Sequence, residues 1–335
     1  MIHPFKLHPF KRRAIARLLP VLVLAAGPAI PARAADAGDY PVKPVRVVVP
    51  FPAGSGTDSS ARFVAEAVTG QTSKSVVVDN RPGANGFIAA QAVATAPADG
   101  YTMLVTTNTT HAANASLFKK LPYDPIRDFA PVSLIARSGL VLVVPPDSPV
   151  HTVADLTALA RAKPGKLTFA SGSSSTRIAS ELYKMMAGVQ ALHVPYKGVP
   201  VALTDLMGHQ VDFMISDISP AMTLIQSGKL RAVAVTTTQR HPVLKDVPTM
   251  AESGLPGYEM VAWSAAFFPA ATPKPVVERM NQMVRKGLTD SRAAEYFGRT
   301  GGEPAPTTPD ELAAFVRSET QKWAKVIKAA GIEPE

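Results

Sequence analysis

Five loops of this 335-residue chain gather hydroxyl, amide and charged side chains at the ends of strand-like runs, where the chemistry on offer is the grip of a small anion. The first follows "VVVPF" and reads Pro52–Ala53–Gly54–Ser55–Gly56–Thr57–Asp58, with a helical pattern beyond it. Strand, glycine loop and helix start together present unpaired backbone N–H groups to an anion. No lysine follows Gly56 as in a P-loop, the third glycine of the dinucleotide fingerprint is missing, and the spacing is not the G-x-S-x-G of a nucleophile elbow. What remains is a loop that turns Phe51–Gly56, the Ser55 and Thr57 hydroxyls and a helix N-terminus toward a carboxylate. The alternative is a plain turn; Asp58 serves the first helical turn under either reading.

The second loop, Ser171–Gly172–Ser173–Ser174–Ser175, follows the strand-like Leu167–Ala170 and opens a helix near Thr176. Arg177 in that first turn opposes the helix dipole, a cost of about 0.3 kcal/mol, so it is either committed to something it contacts or simply solvated or paired. Thr107, Asn108 and Thr109 form a third loop able to donate from a cleft rim or to act as turn and cap residues. In the fourth, His193–Gly198, Tyr196 could lie along a ligand and Lys197 could face an anion or stand exposed, with Gly198 closing the turn. The fifth places Asp217 just past Val211–Ile215. Loops leaving the C-terminal ends of strands are where α/β sheets bind ligands.

Catalysis and metal binding find little support. The histidines beyond residue 34 (His111, His151, His193, His209, His241) are scattered without metal-ligand spacing, there is no cysteine, and Glu66 and Glu181 lie on helical patterns without an arranged partner. A Ser-His-Asp site could still assemble in space, but no motif asks for it. The reading is of a non-enzyme with no catalytic residue, no metal and no cofactor.

The elements that position these loops alternate. Strand-like runs at Val45–Val49, Ser75–Val78, Thr102–Thr106, Leu167–Ala170, Ala191–Val194, Val211–Ile215 and Leu230–Thr236 are separated by helical patterns at 57–69, 85–96, 152–163, 176–187, 199–208 and 219–227. This predicts an α/β fold of βαβ units with largely parallel sheets. Residues 129–149 form an apolar extended stretch with a short interruption near Ser138–Gly139, and 229–242 form a second one. If both pass between lobes, the chain leaves lobe 1 near 140 and re-enters it near 237. The expected organisation is a discontinuous lobe 1 (35–140 plus 238–335), an inserted lobe 2 (141–237), two hinge strands and a ligand cleft. Helices are predicted over 274–289, 291–299 and 309–330, with Pro273, Pro275 and Pro309 near their starts.

The charge of +9 belongs mostly to the first 34 residues, which carry six of the 35 basic residues and no acid; beyond them 29 basic face 26 acidic residues. Nucleic acid is therefore not an expected partner. Lys11, Arg12 and Arg13, the apolar "AIARLLPVLVLAAG" and "ARA" at 32–34 read as a signal peptide cleaved near Ala34–Ala35, so export and a soluble mature chain are expected. Without cysteine there is neither a disulfide nor a lipid-attached cysteine.

With these loops in view, the chain resembles the Bug family, the TctC-like periplasmic receptors of tripartite tricarboxylate transporters. The resemblance rests on "PVRVVVPFPAGSGTD", "VVVDNRPGANG", "PADGYTML", "LPYDPIRDFAPVSLIA", "HVPYKG", "GKLRAVAVTTTQRHPVLKDVPTMAESGLPGYE" and "QKWAKVIKAAGI", in order along nearly the whole chain from about 40 to 332. It implies a periplasmic-binding-protein fold and capture of a small organic acid, amino acid or nitrogenous aromatic acid, with loops after the first strands gripping its carboxylate. It also implies delivery to membrane transporter subunits, and a monomer is expected; the alternatives are a sensor subunit that presents its ligand to a membrane histidine kinase, or a periplasmic hydrolase or transferase on the same fold. Ser55 stands where the family usually has glycine, Arg177 where it has histidine, and Asp217 where it has asparagine. Arg177 and Asp217 either pair with each other or meet, respectively, a second carboxylate and an N–H group of the ligand.

Overall fold

The computed structural model describes residues 39–299 and 301–335; the signal-peptide reading lies outside the described residues. Ten strands form the framework: β1 Val45–Val49, β2 Val76–Asn80, β3 Thr102–Thr107, β4 Phe129–Val144, β5 Thr168–Ser171, β6 Leu192–Pro195, β7 Phe213–Asp217, β8 Arg231–Val235, β9 Val261–Pro269 and β10 Gly302–Pro304. Their order is β2-β1-β3-β9-β4-β7-β5-β6, with β8 and β10 also paired to β4.

The two wings are parallel, as the βαβ alternation requires. β1 runs parallel to β2 (Val45↔Val76 to Val49↔Asn80) and to β3, while β5 runs parallel to β6 and β7. Val45, Val47, Val48 and Val49 are all buried, the continuous apolar run of a strand covered on both faces. The centre departs from the expected largely parallel sheet. β9 is antiparallel to both β3 and β4, and β7, β8 and β10 are antiparallel to β4. A chain that crosses on one strand and returns on another runs in opposite directions at the crossing, so its strands there pair antiparallel. The sequence reading assigned no strand at β9, whose apolar "VAWSAAFFP" carries neither helical nor alternating periodicity.

β4 is shared by the two wings. It pairs with β9 from Phe129 to Gly139 and with β7 from Leu140 to Val143, and nothing interrupts it at Ser138–Gly139. The two segments approach closely there: a Cβ on Gly139 would stand 2.6 Å from Thr237 Cγ2 on the returning segment, so a larger residue has to displace that side chain. Thr236 ties the two crossings together, its N–H donating to Leu140 O at 2.9 Å and its Oγ1 accepting from Leu140 N at 2.8 Å.

Most helices fall within about three residues of their expected bounds because their capping signals are explicit. Ser55 caps the Gly56–Thr72 helix by accepting from Asp58 N, and Ala61, Val64, Ala65 and Val68 form its buried stripe. Capping boxes start the helices Val153–Ala162 (Thr152 with Asp155), Ser174–Ala187 (Ser173 with Thr176) and Pro309–Ala329 (Thr308 with Glu311). Gly188, at φ 62, ends the Ser174 helix in the left-handed region. Ile178, Ala179 and Tyr183 on that helix pack toward Phe213, and burying Tyr183 alone contributes about 2 kcal/mol.

Candidate functional site

The loop after β1 is built around a buried carboxylate. Asp58 accepts from Gly54 N at 3.0 Å, Arg62 Nε at 3.0 Å and Asn80 Nδ2 at 3.0 Å, and Asn80 Nδ2 also donates to Phe51 O at 2.9 Å. Burial works to raise this carboxyl, but Arg62, the Gly54 N–H and Asn80 outweigh it and hold it below the usual carboxylate range. Asp58 therefore shapes the loop and does not line the cavity. Ala53 and Gly54 form the exposed outer edge, and Gly54 takes φ 80 to make the turn. Ser55 combines two tasks: its Oγ caps the helix while the residue lines the cavity.

The loop after β5 is ordered in the same manner. Thr176 Oγ1 accepts from Gly172 N at 3.0 Å and Ser173 N at 3.1 Å, closing the turn ahead of the Ser174–Ala187 helix. Gly172 has no room for a side chain, since a Cβ would lie 2.2 Å from Val199 N. The start of this helix docks on the segment after β3, which passes through a π-helical turn at Thr109–Ala113. Asn108 Nδ2 donates to Ser175 Oγ at 2.7 Å, Ser174 N donates to Thr109 Oγ1 at 3.3 Å, and Ser174 Oγ approaches Asn114 Oδ1 at 3.4 Å. Asn108 is fully buried and also accepts from Trp263 N. Asn108 and Ser174 thus join the β1–β3 wing to the β5–β7 wing.

Between these loops lies a cavity of about 50 Å³, room for a few water-sized groups. Phe51, Ser55 and Gly56 line it from the first loop, Thr107 from the end of β3, Ser173 and Ser175 from the second loop, and Asp217 from the end of β7. Three helices begin at its wall, at Gly56, Ser174 and Ile218. Their unpaired N–H groups and dipoles favour negative charge, and no lysine, arginine or histidine lines the cavity among the described residues. Such a site can hold a carboxylate through backbone and hydroxyl donors. Asp217 runs against this trend: no partner reaches its carboxylate among the described residues, and burial pushes it up to about 6.

The remaining sequence candidates lie elsewhere. Ser171 Oγ meets His193 Nε2 at 2.6 Å. Burial, with smaller contributions from Arg177 and Lys184, pushes His193 down to about 4, so it is neutral near pH 7. Tyr196 and Lys197 line a neighbouring opening of about 270 Å³ that shares Phe51 and Ser173 with the inner cavity, and Gly198 is packed against Pro52. Of the two readings of Arg177 and Asp217, their pairing with each other does not occur. Arg177 Nη1 bonds Glu335 Oε1 at 2.8 Å, and Glu335 is held through its backbone to Leu117 and Lys119. The C-terminal segment thus reaches the start of the Ser174–Ala187 helix, a long-range contact invisible to local reading.

Several wall residues escaped the sequence reading. Ala262, Trp263 and Ser264 enter from β9, Ala136 and Ser138 from β4, and Tyr296 and Phe297 from the Ser291–Arg299 helix. They sit mid-element, where turn chemistry is silent. The indole of Trp263 is fixed by donation to Glu319 Oε2 at 2.9 Å, an acceptor shared with Trp323. A tryptophan on an apolar run beside small residues was the available clue.

Residues 60–332 match the model of the tripartite tricarboxylate transporter family receptor, TctC. The chain is 34% identical over 320 residues to Protein BugT of Bordetella pertussis, covering 95% of this chain and 98% of that one. Among solved structures, Rpa4515 of R. palustris with adipate superposes with a TM-score of 0.87 at 38% identity, covering 88% of this chain and all of that one. MatC (Rpa3494) from Rhodopseudomonas palustris with bound malate gives 0.81 at 32%, covering 86% of this chain and 100% of that one.

Proposed function

We propose that this chain, which belongs to the TctC family of tripartite tricarboxylate transporter receptors, captures a small carboxylate-bearing solute between two lobes and delivers it to the membrane subunits of a tripartite transporter. Its fold is the two-lobed α/β fold of periplasmic binding proteins. The family consists of periplasmic solute-binding receptors, not enzymes. The observation that carries the reading is the meeting of two helix N-termini, at Gly56 and Ser174, on a cavity whose described lining holds no cation. The adipate of Rpa4515 and the malate of MatC agree with a carboxylate as the captured group.

The lobes are taken as 35–140 plus 238–335 and 141–237. In support, β4 exchanges β9 for β7 between Gly139 and Leu140, and the chain returns past Thr236. Ligand contacts are assigned to Phe51, Ser55, Gly56, Thr107, Ser173 and Ser175, with Asp217 opposite. Closing brings donors from both lobes onto one carboxylate, so ligand favours the closed state by the contacts only that state completes. Backbone N–H groups and hydroxyls suit this task because they are rigid, and they need no buried cation with its own desolvation cost.

The test is calorimetric titration and thermal melting of the purified receptor with a panel of mono-, di- and tricarboxylates and amino acids, including adipate and malate. One-to-one binding, with the ligand recovered unchanged by mass spectrometry, is expected. Absence of binding by every carboxylate, or recovery of a chemically altered ligand, overturns the reading.

A further inference from the structure

An acid in a carboxylate-binding cavity needs an explanation. Asp217 is the single acidic side chain among the described residues lining the cavity, and Tyr296 is the other titratable one. The Tyr296 hydroxyl is engaged with Ser59 O at 3.1 Å, and burial raises its pKa. The facing walls contribute Ser138 from β4, Trp263 and Ser264 from β9 and Ser55 and Gly56 from the first loop, none of them charged. Asp58, the acid in the first turn of the Gly56–Thr72 helix, is wrapped by its own donors.

Asp217 is held firmly. Its backbone pairs with Leu140 on β4, and it stands at the N-cap of the Ile218–Gln226 helix without its carboxylate capping that helix. The next turn lies against the first loop, since a Cβ on Gly56 would be 4.0 Å from Ser219 Cβ. One small cavity therefore meets the positive ends of helices that begin at Gly56 and Ser174 and also holds a carboxylate with no partner among the described residues. A ligand with carboxylates alone leaves that carboxylate unpaired or forces a proton onto it, and both oppose binding. A ligand carrying a carboxylate and a protonated nitrogen a few bonds apart satisfies both walls.

We infer that Asp217 recognises a protonated nitrogen of the ligand, so that the receptor takes an amino acid or related nitrogen-bearing acid in preference to the matching plain acid. This rests on the receptor reading above and narrows its substrate class.

The experiment is titration of the receptor with matched pairs differing only in the amine, such as aspartate with succinate and glutamate with glutarate, extended over the common amino acids and their deamino counterparts. In at least one pair the amine-bearing member binds tenfold or more tighter. Asp217→Asn brings that ratio within threefold, and Asp217→Glu retains part of it. The affinity for the amine-bearing ligand falls severalfold from pH 7.5 to pH 5 in the native protein, but not in Asp217→Asn. A plain carboxylate as the tightest ligand, a ratio unchanged in Asp217→Asn, or no binding by any amino acid overturns the inference. Binding of plain acids alone leaves the receptor reading standing, whereas no binding by either class removes both. The comparison of pairs on the native protein stands whether or not the variants fold.

Discussion

Replacing Asp58 with asparagine isolates what the first loop contributes to stability. In the native protein one carboxylate oxygen accepts from Gly54 N and Arg62 Nε and the other from Asn80 Nδ2, all at 3.0 Å. An asparagine keeps one oxygen and turns an NH2 toward at least one of these donors. A hydrogen bond to a charged group contributes about 1.5–3 kcal/mol net, and a buried donor left without an acceptor costs about 1–3 kcal/mol. Arg62 is more than half exposed, so its share is small. The expected loss is about 2 kcal/mol, or about 3 °C in Tm, measured by urea unfolding at pH 7. Because the folded-state pKa is depressed, this stability is present above the ordinary value of 3.8 and is lost as pH falls through the lower folded value. The gap between the two proteins is therefore flat from pH 8 to pH 5 and narrows only below about 3.8. A gap under 0.5 kcal/mol at pH 7, as an order-of-magnitude threshold for a lost charged hydrogen bond, would refute this account of the loop.

Gly139→Val drives a side chain into Thr237 at the crossing of the two hinge strands; a destabilisation of about 2 kcal/mol and a change in the scattering radius of the free receptor are expected, and an unaltered radius with native stability counts against the hinge assignment. Arg177→Met breaks a partly exposed pair with Glu335, so unfolding free energy should change by no more than about 1 kcal/mol and ligand affinity by less than threefold; a tenfold affinity loss would return Arg177 to the ligand shell. His111 is fully buried against Phe129 and Phe267, and burial pushes it down to about 3. The unfolded chain therefore takes up the proton first below pH 6.5, and native stability falls by about 2 kcal/mol between pH 6.5 and pH 5 through this group. His111→Leu should flatten that slope in urea titrations, and identical slopes would contradict the burial argument. Trp263 lines the cavity, so in a Trp323→Phe variant ligand should shift its fluorescence; silence during calorimetrically observed binding would place the ligand elsewhere.

The legible parts of this protein are those set by neighbours in sequence. Ser55, Ser173, Thr152 and Thr308 announce helix starts because a cap needs only its own next turn. Val45–Val49 reads as a buried strand because β-branched residues in a row suit little else. Hence the loops after β1, β3, β5 and β7 could be named as candidate ligand loops, and the Ser55, Ser173 and Asp217 positions line one cavity.

Long-range arrangement belongs to the tertiary structure. The antiparallel centre follows from the direction in which β4 and β9 cross, the crowding at Gly139 from Thr237 nearly a hundred residues away, and the fate of Arg177 from Glu335. Local periodicity reports which face of an element is apolar, and it carries no information about which distant side chain will stand opposite. That is why the sequence could mark Asp58 and Asp217 alike as acids just past strand ends, while only the fold wraps one in three donors and leaves the other bare in the cavity.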